Sequence, residues 1–190
     1  KYADITLAVE AETIAPLSRE AVKQHKTLKV LLMIDMGDLR EGIWFQEEEE
    51  IEAAVKKILA LPGLELYGLG TNFGCYGTVL ATEKNATEFV RITKMLEKKL
   101  SIKFQYLSGG NCSSYRLVEK GTMPKEINHL RIGAQHAFGI EYVEGRYLEG
   151  YCHSNKAIGK YVSDAYILKG EIIELRNKPT VPVGELGMDS

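Results

Sequence analysis

Short apolar runs alternate along this chain with longer stretches whose apolar positions recur every three to four residues. Residues 5–9 form a first strand-like run, and residues 12–26 place Ile14, Leu17, Ala21 and Val22 on one helical face. Pro16 is expected in the first turn of that helix, where proline is tolerated. The run LKVLLMI at 28–34 is almost unbroken in its apolar character, the pattern of a strand buried on both faces, as in a parallel sheet. An amphipathic helix follows over 47–61, with acids in its first turn and Lys56 and Lys57 later, matching the helix dipole. Pro62 and Gly63 stop it. A strand over 64–69 and a helix over 84–100 with Phe89, Ile92, Met95 and Leu96 on one face come next. A strand entering at Phe104, a short helix around 116–120 and a strand over 127–132 complete the series.

Alternation of this kind predicts an α/β fold built on a parallel sheet with crossover helices. Beyond Gly139 the pattern changes. Residues 141–160 are polar and rich in Gly and Tyr, and 162–175 read as two tightly joined strands. The segment 178–183 carries two prolines and is excluded from a central strand. A domain boundary is expected between residues 140 and 160, with an antiparallel β portion beyond it. Residues 1–145 and 146–190 are the two units this reading defines.

Composition narrows the function only by exclusion. The 190 residues carry 24 Lys and Arg against 26 Asp and Glu, so no basic surface calls for a nucleic acid or an anionic membrane. No apolar run is long enough to span a bilayer and no leader pattern opens the chain, so a soluble cytoplasmic protein is expected. Cys75, Cys112 and Cys152 are widely spaced without a CxxC, and the four histidines form no HExxH pattern, which argues against a disulfide framework and a dedicated metal site.

The candidate chemistry lies in the loops that follow the strands. Residues 35–42 are dense in charge directly after the buried strand and contain Arg40; residues 70–77 are glycine-rich and contain Asn72. The stretch Ser108-Gly109-Gly110-Asn111-Cys112-Ser113-Ser114 turns from a strand into a helix start. Two glycines there allow close backbone approach, and the small polar side chains suit a phosphate, although an ordinary capped turn has the same composition. Taken singly, Arg40 reads as a surface cation and Cys112 as a small buried filler. Parallel strands end on one side, however, so Arg40, Asn72, residues 111–114 and the segment Arg131 to Gly133 are expected to converge at one rim. Two arginines and a small-residue cradle fit an anionic, phosphorylated ligand.

The motifs MIDMGDLREGIW (33–44), LGTNFGCYG (69–77), LSGGNCSS (107–114) and INHLRIG (127–133), with EIIELRNKPTVPVGELG (171–187) after them, resemble the alanine racemase-like family of pyridoxal 5′-phosphate enzymes, and within it the ornithine racemase branch. The resemblance implies a TIM-type (β/α)8 barrel followed by a mostly β domain. About 250 residues are needed for eight βα units, so the chain is expected to hold an incomplete barrel, its last five strands, and the start of the second domain. The Schiff-base lysine and a second base, a tyrosine from a partner subunit, are then expected outside these residues.

Carried over by position, Arg131 resembles the arginine facing the pyridine nitrogen and Arg40 the one near the phenolic oxygen. These two are the catalytic candidates. Asn72 stands where more distant relatives carry a histidine, which favours a hydrogen bond over ring stacking. Asn111, Cys112 and Ser113, with the backbone N–H groups of Gly133 and Ala134, match the phosphate cradle. Cys112 replaces a serine, and a thiol is the weaker donor, which leaves the role open between Cys112 and Ser113. Ala134 replaces the branch's glutamate and leaves substrate choice open. The resemblance thus implies a racemase that removes and returns the Cα proton of a cofactor-bound amino acid, working as a homodimer on a small-molecule substrate. Two alternatives stand beside it: a pyridoxal-phosphate carrier without catalysis, and an inactive fragment. The β segment after residue 162 favours the enzyme over the carrier.

Overall fold

The computed structural model describes residues 3–75 and 79–133, together with the backbone of 141–143 and 146–148. Strand β1 (Ile5–Ala8) leads into helix α1 (Ala11–Lys23), followed by β2 (Leu28–Asp35), a two-residue strand β3 (Ile43–Trp44) and α2 (Glu48–Ala60). Then come β4 (Leu64–Gly70), α3 (Glu83–Leu100), β5 (Tyr106–Ser108), a 3-10 turn (Cys112–Ser114) and α4 (Tyr115–Glu119). The main sheet runs β1-β2-β4-β5 with every pair parallel, and β3 adds to the end of β2. Strands β6 (Glu141–Val143) and β7 (Arg146–Leu148) form a separate antiparallel pair. This is the α/β architecture with a parallel sheet that the alternation of elements predicts, and it is consistent with the incomplete barrel that the resemblance implies.

The sheet's centre is β2, whose residues Val30 to Ile34 are all at most 1% exposed. Val30, Leu32 and Ile34 pack with Ile14, Ile51, Val55, Ile58, Phe89 and Leu96 in the layer under the helices. Leu31 and Met33 point the other way. A methyl group on Gly68 would come within 2.9 Å of Leu31, and one on Gly70 within 2.7 Å of the Met33 sulfur, so glycines on β4 make room for them. Helix α3 begins with a reciprocal cap: the Asn85 amide N–H donates to Thr82 Oγ1 at 3.3 Å, and the Thr82 N–H donates to Asn85 Oδ1 at 2.8 Å.

Three local expectations need correction. Helix α1 begins at Ala11, so Pro16 lies in its interior rather than its first turn, leaving one intrahelical carbonyl without its usual partner. The charged loop after β2 also turns back to form β3, which the pattern did not reveal. Its two residues pair with Ile34 and Asp35. The expected strand over 127–132 reduces to a single parallel bridge, Ser108 to His129. Asn128 explains why: its side chain accepts from the Leu107 N–H at 3.0 Å and donates to the Gln105 carbonyl at 2.9 Å. A side-chain amide therefore takes ladder positions that a strand would need. The expected strands over 162–175 lie outside the described residues.

Gly42 governs the return from β2 to β3. It adopts φ of +111°, and a Cβ there would lie 2.7 Å from the backbone of Met33 and 2.9 Å from the Asp35 nitrogen. Gly42→Ala is expected to destabilise the chain by about 2 kcal/mol or more, combining left-handed strain with a backbone collision. A urea midpoint equal to that of the unchanged protein would refute the close approach.

Candidate functional site

Because the strands are parallel, their C-terminal ends share one edge, and three side-chain staples join the loops that leave it. Asp38, 1% exposed in the loop after β2, accepts from the Cys75 N–H at 3.1 Å and the Val79 N–H at 3.0 Å. Asn111 joins the loops after β4 and β5: its Nδ2 donates to the Phe73 carbonyl at 2.7 Å, and its Oδ1 accepts from the Ser113 N–H at 2.8 Å. Gly74, at φ of +61°, brings the same two loops together, since a Cβ there would lie 2.9 Å from that of Ser113. The third staple is Arg131. Its Nη1 donates to Ser108 Oγ at 2.6 Å and its Nη2 to the Thr71 carbonyl at 2.8 Å, bridging the ends of β4 and β5.

Arg131 is the electrostatic centre of this edge. Burial lowers its pKa from the ordinary arginine value; Glu41 opposes that shift and Arg40 adds to it. An arginine remains protonated at neutral pH despite such a shift. These influences place Arg40, Glu41 and Arg131 within electrostatic reach of one another. Arg40 Nε pairs with Glu41 Oε2 at 2.9 Å, the Arg40 side chain being 46% exposed. Among the described residues, two of the five guanidinium N–H donors of Arg131 are hydrogen-bonded, to Ser108 and to the Thr71 carbonyl.

The orphaned polar groups gather in the same region. Among the described residues, Asn72, 4% exposed, has no hydrogen-bond partner for its Oδ1 or its Nδ2, and Thr71 Oγ1 and Ser114 Oγ also lack partners. Buried side-chain amides are nearly always paired. Asn72 lies two residues beyond the end of β4, and a Cβ on Gly70 would lie 3.5 Å from Arg131 Nη1, so the half-buried guanidinium sits against the strand end from which Asn72 follows.

The phosphate-cradle candidates divide in two. The Gly133 N–H donates to Cys112 Sγ at 3.3 Å, which brings these two candidates together. Sulfur is a weak acceptor, readily exchanged for an oxyanion. Ser113 instead directs its hydroxyl to the Phe73 carbonyl at 2.9 Å and to Asn111 Oδ1 at 2.7 Å, within the loop. Ala134 lies outside the described residues. Residues that the motifs did not single out are Asp38, Glu41, Thr71, Ser108 and His129. Charge inside the loop after a fully buried strand was the available signal for Asp38 and Glu41, and Ser108 opens the glycine-rich turn; nothing local marked Thr71 or His129.

The fold and this edge define a class: an α/β domain with a parallel, incomplete barrel-type sheet that carries a half-buried guanidinium and buried polar side chains at the C-terminal ends of its strands. The family model for the alanine racemase N-terminal domain matches residues 1–138, and the chain belongs to that family. The ornithine racemase of Acetoanaerobium sticklandii is 35% identical over 190 residues, covering 100% of this chain and 50% of that protein. The lysine racemase of Thermotoga maritima is 35% identical over 179 residues, covering 94% of this chain and 45% of that protein. The chain therefore spans about half the length of these relatives. Among solved structures, an alanine racemase from Streptomyces lavendulae superposes with a TM-score of 0.55 at 15% identity, covering 73% of this chain and 35% of that one. A D-threonine aldolase from Filomicrobium marinum gives 0.55 at 18% identity, covering 82% and 42%. At those identities the likeness concerns the fold alone.

Asp38→Ala would leave two backbone N–H groups in the loop after β4 without an acceptor. The expected cost is about 1–3 kcal/mol, with faster hydrogen exchange at the Cys75 and Val79 amides. Unchanged protection of both amides would show that the carboxylate does not hold these loops.

Proposed function

We propose that this chain is the cofactor-binding part of a pyridoxal-phosphate-dependent amino-acid racemase, an isomerase acting on a basic amino acid such as ornithine or lysine. The observation that carries the reading is the half-buried Arg131 guanidinium, tethered to Ser108 and to the Thr71 carbonyl, with the buried Asn72 next in the chain to Thr71 and its side-chain amide unpaired among the described residues. The two relatives at 35% identity support it through their names, ornithine racemase and lysine racemase.

When bound, the cofactor supplies an electron-withdrawing ring that acidifies the Cα–H of an amino acid joined to it. The residues fit that group. Arg131, able only to donate, would hold the ring nitrogen unprotonated and so moderate the electron withdrawal. That moderation favours return of the proton to Cα over side reactions. Cys112, the Gly133 N–H and the Ala134 N–H would hold the phosphate, Asn72 would donate to the ring's substituents, and Arg40 would lie near its phenolic oxygen. Asn111 and Ser113 would fix the shape of the cradle from behind. The domain division at residues 145/146, a homodimeric assembly and a cytoplasmic location belong to the same proposal. Among the described residues no helix is long and apolar enough to cross a membrane.

The test uses the full-length protein with pyridoxal phosphate. Loss of optical rotation is expected from L-ornithine or L-lysine, with a visible cofactor band, and Arg131→Gln is expected to lower kcat/KM by about a hundredfold. A cofactor band without loss of rotation from L-ornithine, L-lysine or L-alanine would instead assign a non-catalytic carrier. Absence of both would overturn the cofactor reading.

A further inference from the structure

Behind Arg131 lies a second hydrogen-bonded pair that none of the roles above uses. Ser108 is fully buried, and its single hydroxyl oxygen meets two groups: Arg131 Nη1 at 2.6 Å and His129 Nδ1 at 2.9 Å. Arginine can only donate, so the oxygen must accept there. Its one proton is then directed to His129 Nδ1, the other partner recorded for it among the described residues. The imidazole is held in place independently, stacked on Tyr106 with ring centroids 5.0 Å apart and planes inclined by 13°. Tyr106 and Ser108 both belong to β5, and the bridge from Ser108 to His129 ties the backbones together at the same level.

We propose that His129 is a positioning residue for Arg131: its neutral Nδ1 accepts the Ser108 proton, aiming the Ser108 lone pairs at the guanidinium and fixing the direction of the donors left for the ligand. The inference rests on the cofactor reading for its consequence but not for its geometry. Protonation of His129 would reverse the arrangement. Nδ1 would become a donor, competing with Arg131 for the same oxygen and adding a second positive charge beside it. The groups facing the imidazole are Tyr106 from β5 and Arg131 from its own segment. Burial, then the Arg131 charge, hold its pKa below the ordinary histidine value. The neutral form is thus favoured in the folded state. Its contribution is complete above the unfolded histidine pKa and is lost as pH falls through that value toward the folded one.

Two variants separate the hydrogen bond from the packing. His129→Phe keeps a ring against Tyr106 and has no acceptor; His129→Asn offers an amide oxygen near the position of Nδ1. In the full-length apo protein, imidazole 15N shifts are expected to show Nδ1 unprotonated at neutral pH, and Arg131→Gln is expected to raise the His129 pKa. A protonated Nδ1 at neutral pH, or a titration indifferent to Arg131→Gln, would overturn the proposal without any cofactor present. For pyridoxal phosphate at pH 8, His129→Phe should weaken binding by about tenfold, the upper end of the effect of one neutral hydrogen bond. His129→Asn should restore it and remove the weakening expected of unchanged protein at acidic pH. Equal affinities in His129→Phe and unchanged protein, or no rescue by Asn, would refute the positioning role. Failure of unchanged protein to bind would refute the cofactor reading instead, leaving the imidazole spectrum to decide this one.

Discussion

Burial of β2 on both faces is the constraint from which the rest of the molecule follows. A strand whose five central residues are at most 1% exposed needs apolar cover above and below, and crossover helices supply one of those layers. Crossover connections make the strands parallel, and parallel strands bring all their C-terminal ends to one edge. The opposite face of β2 has a separate requirement. Leu31 and Met33 occupy it fully, so β4 presents glycines there, and the space next to Gly70 admits the guanidinium of Arg131. The same packing that stabilises the sheet thus leaves a narrow place for one long, planar, charged side chain.

How the polar groups of the edge are satisfied follows a consistent division. Asp38, Asn111 and Asn128 each use a side chain to answer backbone groups of a neighbouring segment, which holds irregular loops in one arrangement without regular secondary structure. Against that background Thr71, Asn72 and Ser114 stand out, because their side-chain atoms are buried and unanswered. Buried polar side chains are usually paired, so these three mark the part of the edge where the described residues leave hydrogen-bonding capacity unused.

Much of this was legible before the structure. Helix faces, the doubly buried strand and the parallel arrangement follow from periodicity, since burying apolar side chains dominates where β2, α2 and α3 sit. The placement of Arg40, Asn72, residues 111–113 and Arg131 on loops at one edge followed from that parallel order. What escaped depended on contacts between distant segments. Whether residues 127–132 formed a strand turned on the Asn128 amide reaching β5, and the short β3 on Gly42 passing the Met33 backbone. Ser108 and His129 carry no signature of their own, because a serine and a histidine 21 positions apart acquire meaning only through a shared oxygen. Ser113 shows the reverse case. Its position in the motif suits a phosphate, yet its hydroxyl turns back into the loop, leaving Cys112 opposite the Gly133 N–H.

The charge balance at the edge leads one step further. Burying Arg131 costs desolvation energy, which two hydrogen bonds and the Glu41 charge offset in part, while Arg40 works against it. The Arg40–Glu41 pair largely neutralises itself, so Arg131 remains a cation whose nearest compensation is a neutral hydroxyl and a carbonyl. A carboxylate in place of Ser108 would stabilise the free protein better, but it would also absorb the charge and weaken any interaction with an incoming acceptor. Neutral partners orient the guanidinium without quenching it. Their use at this position leaves the Arg131 charge undiminished at the strand ends.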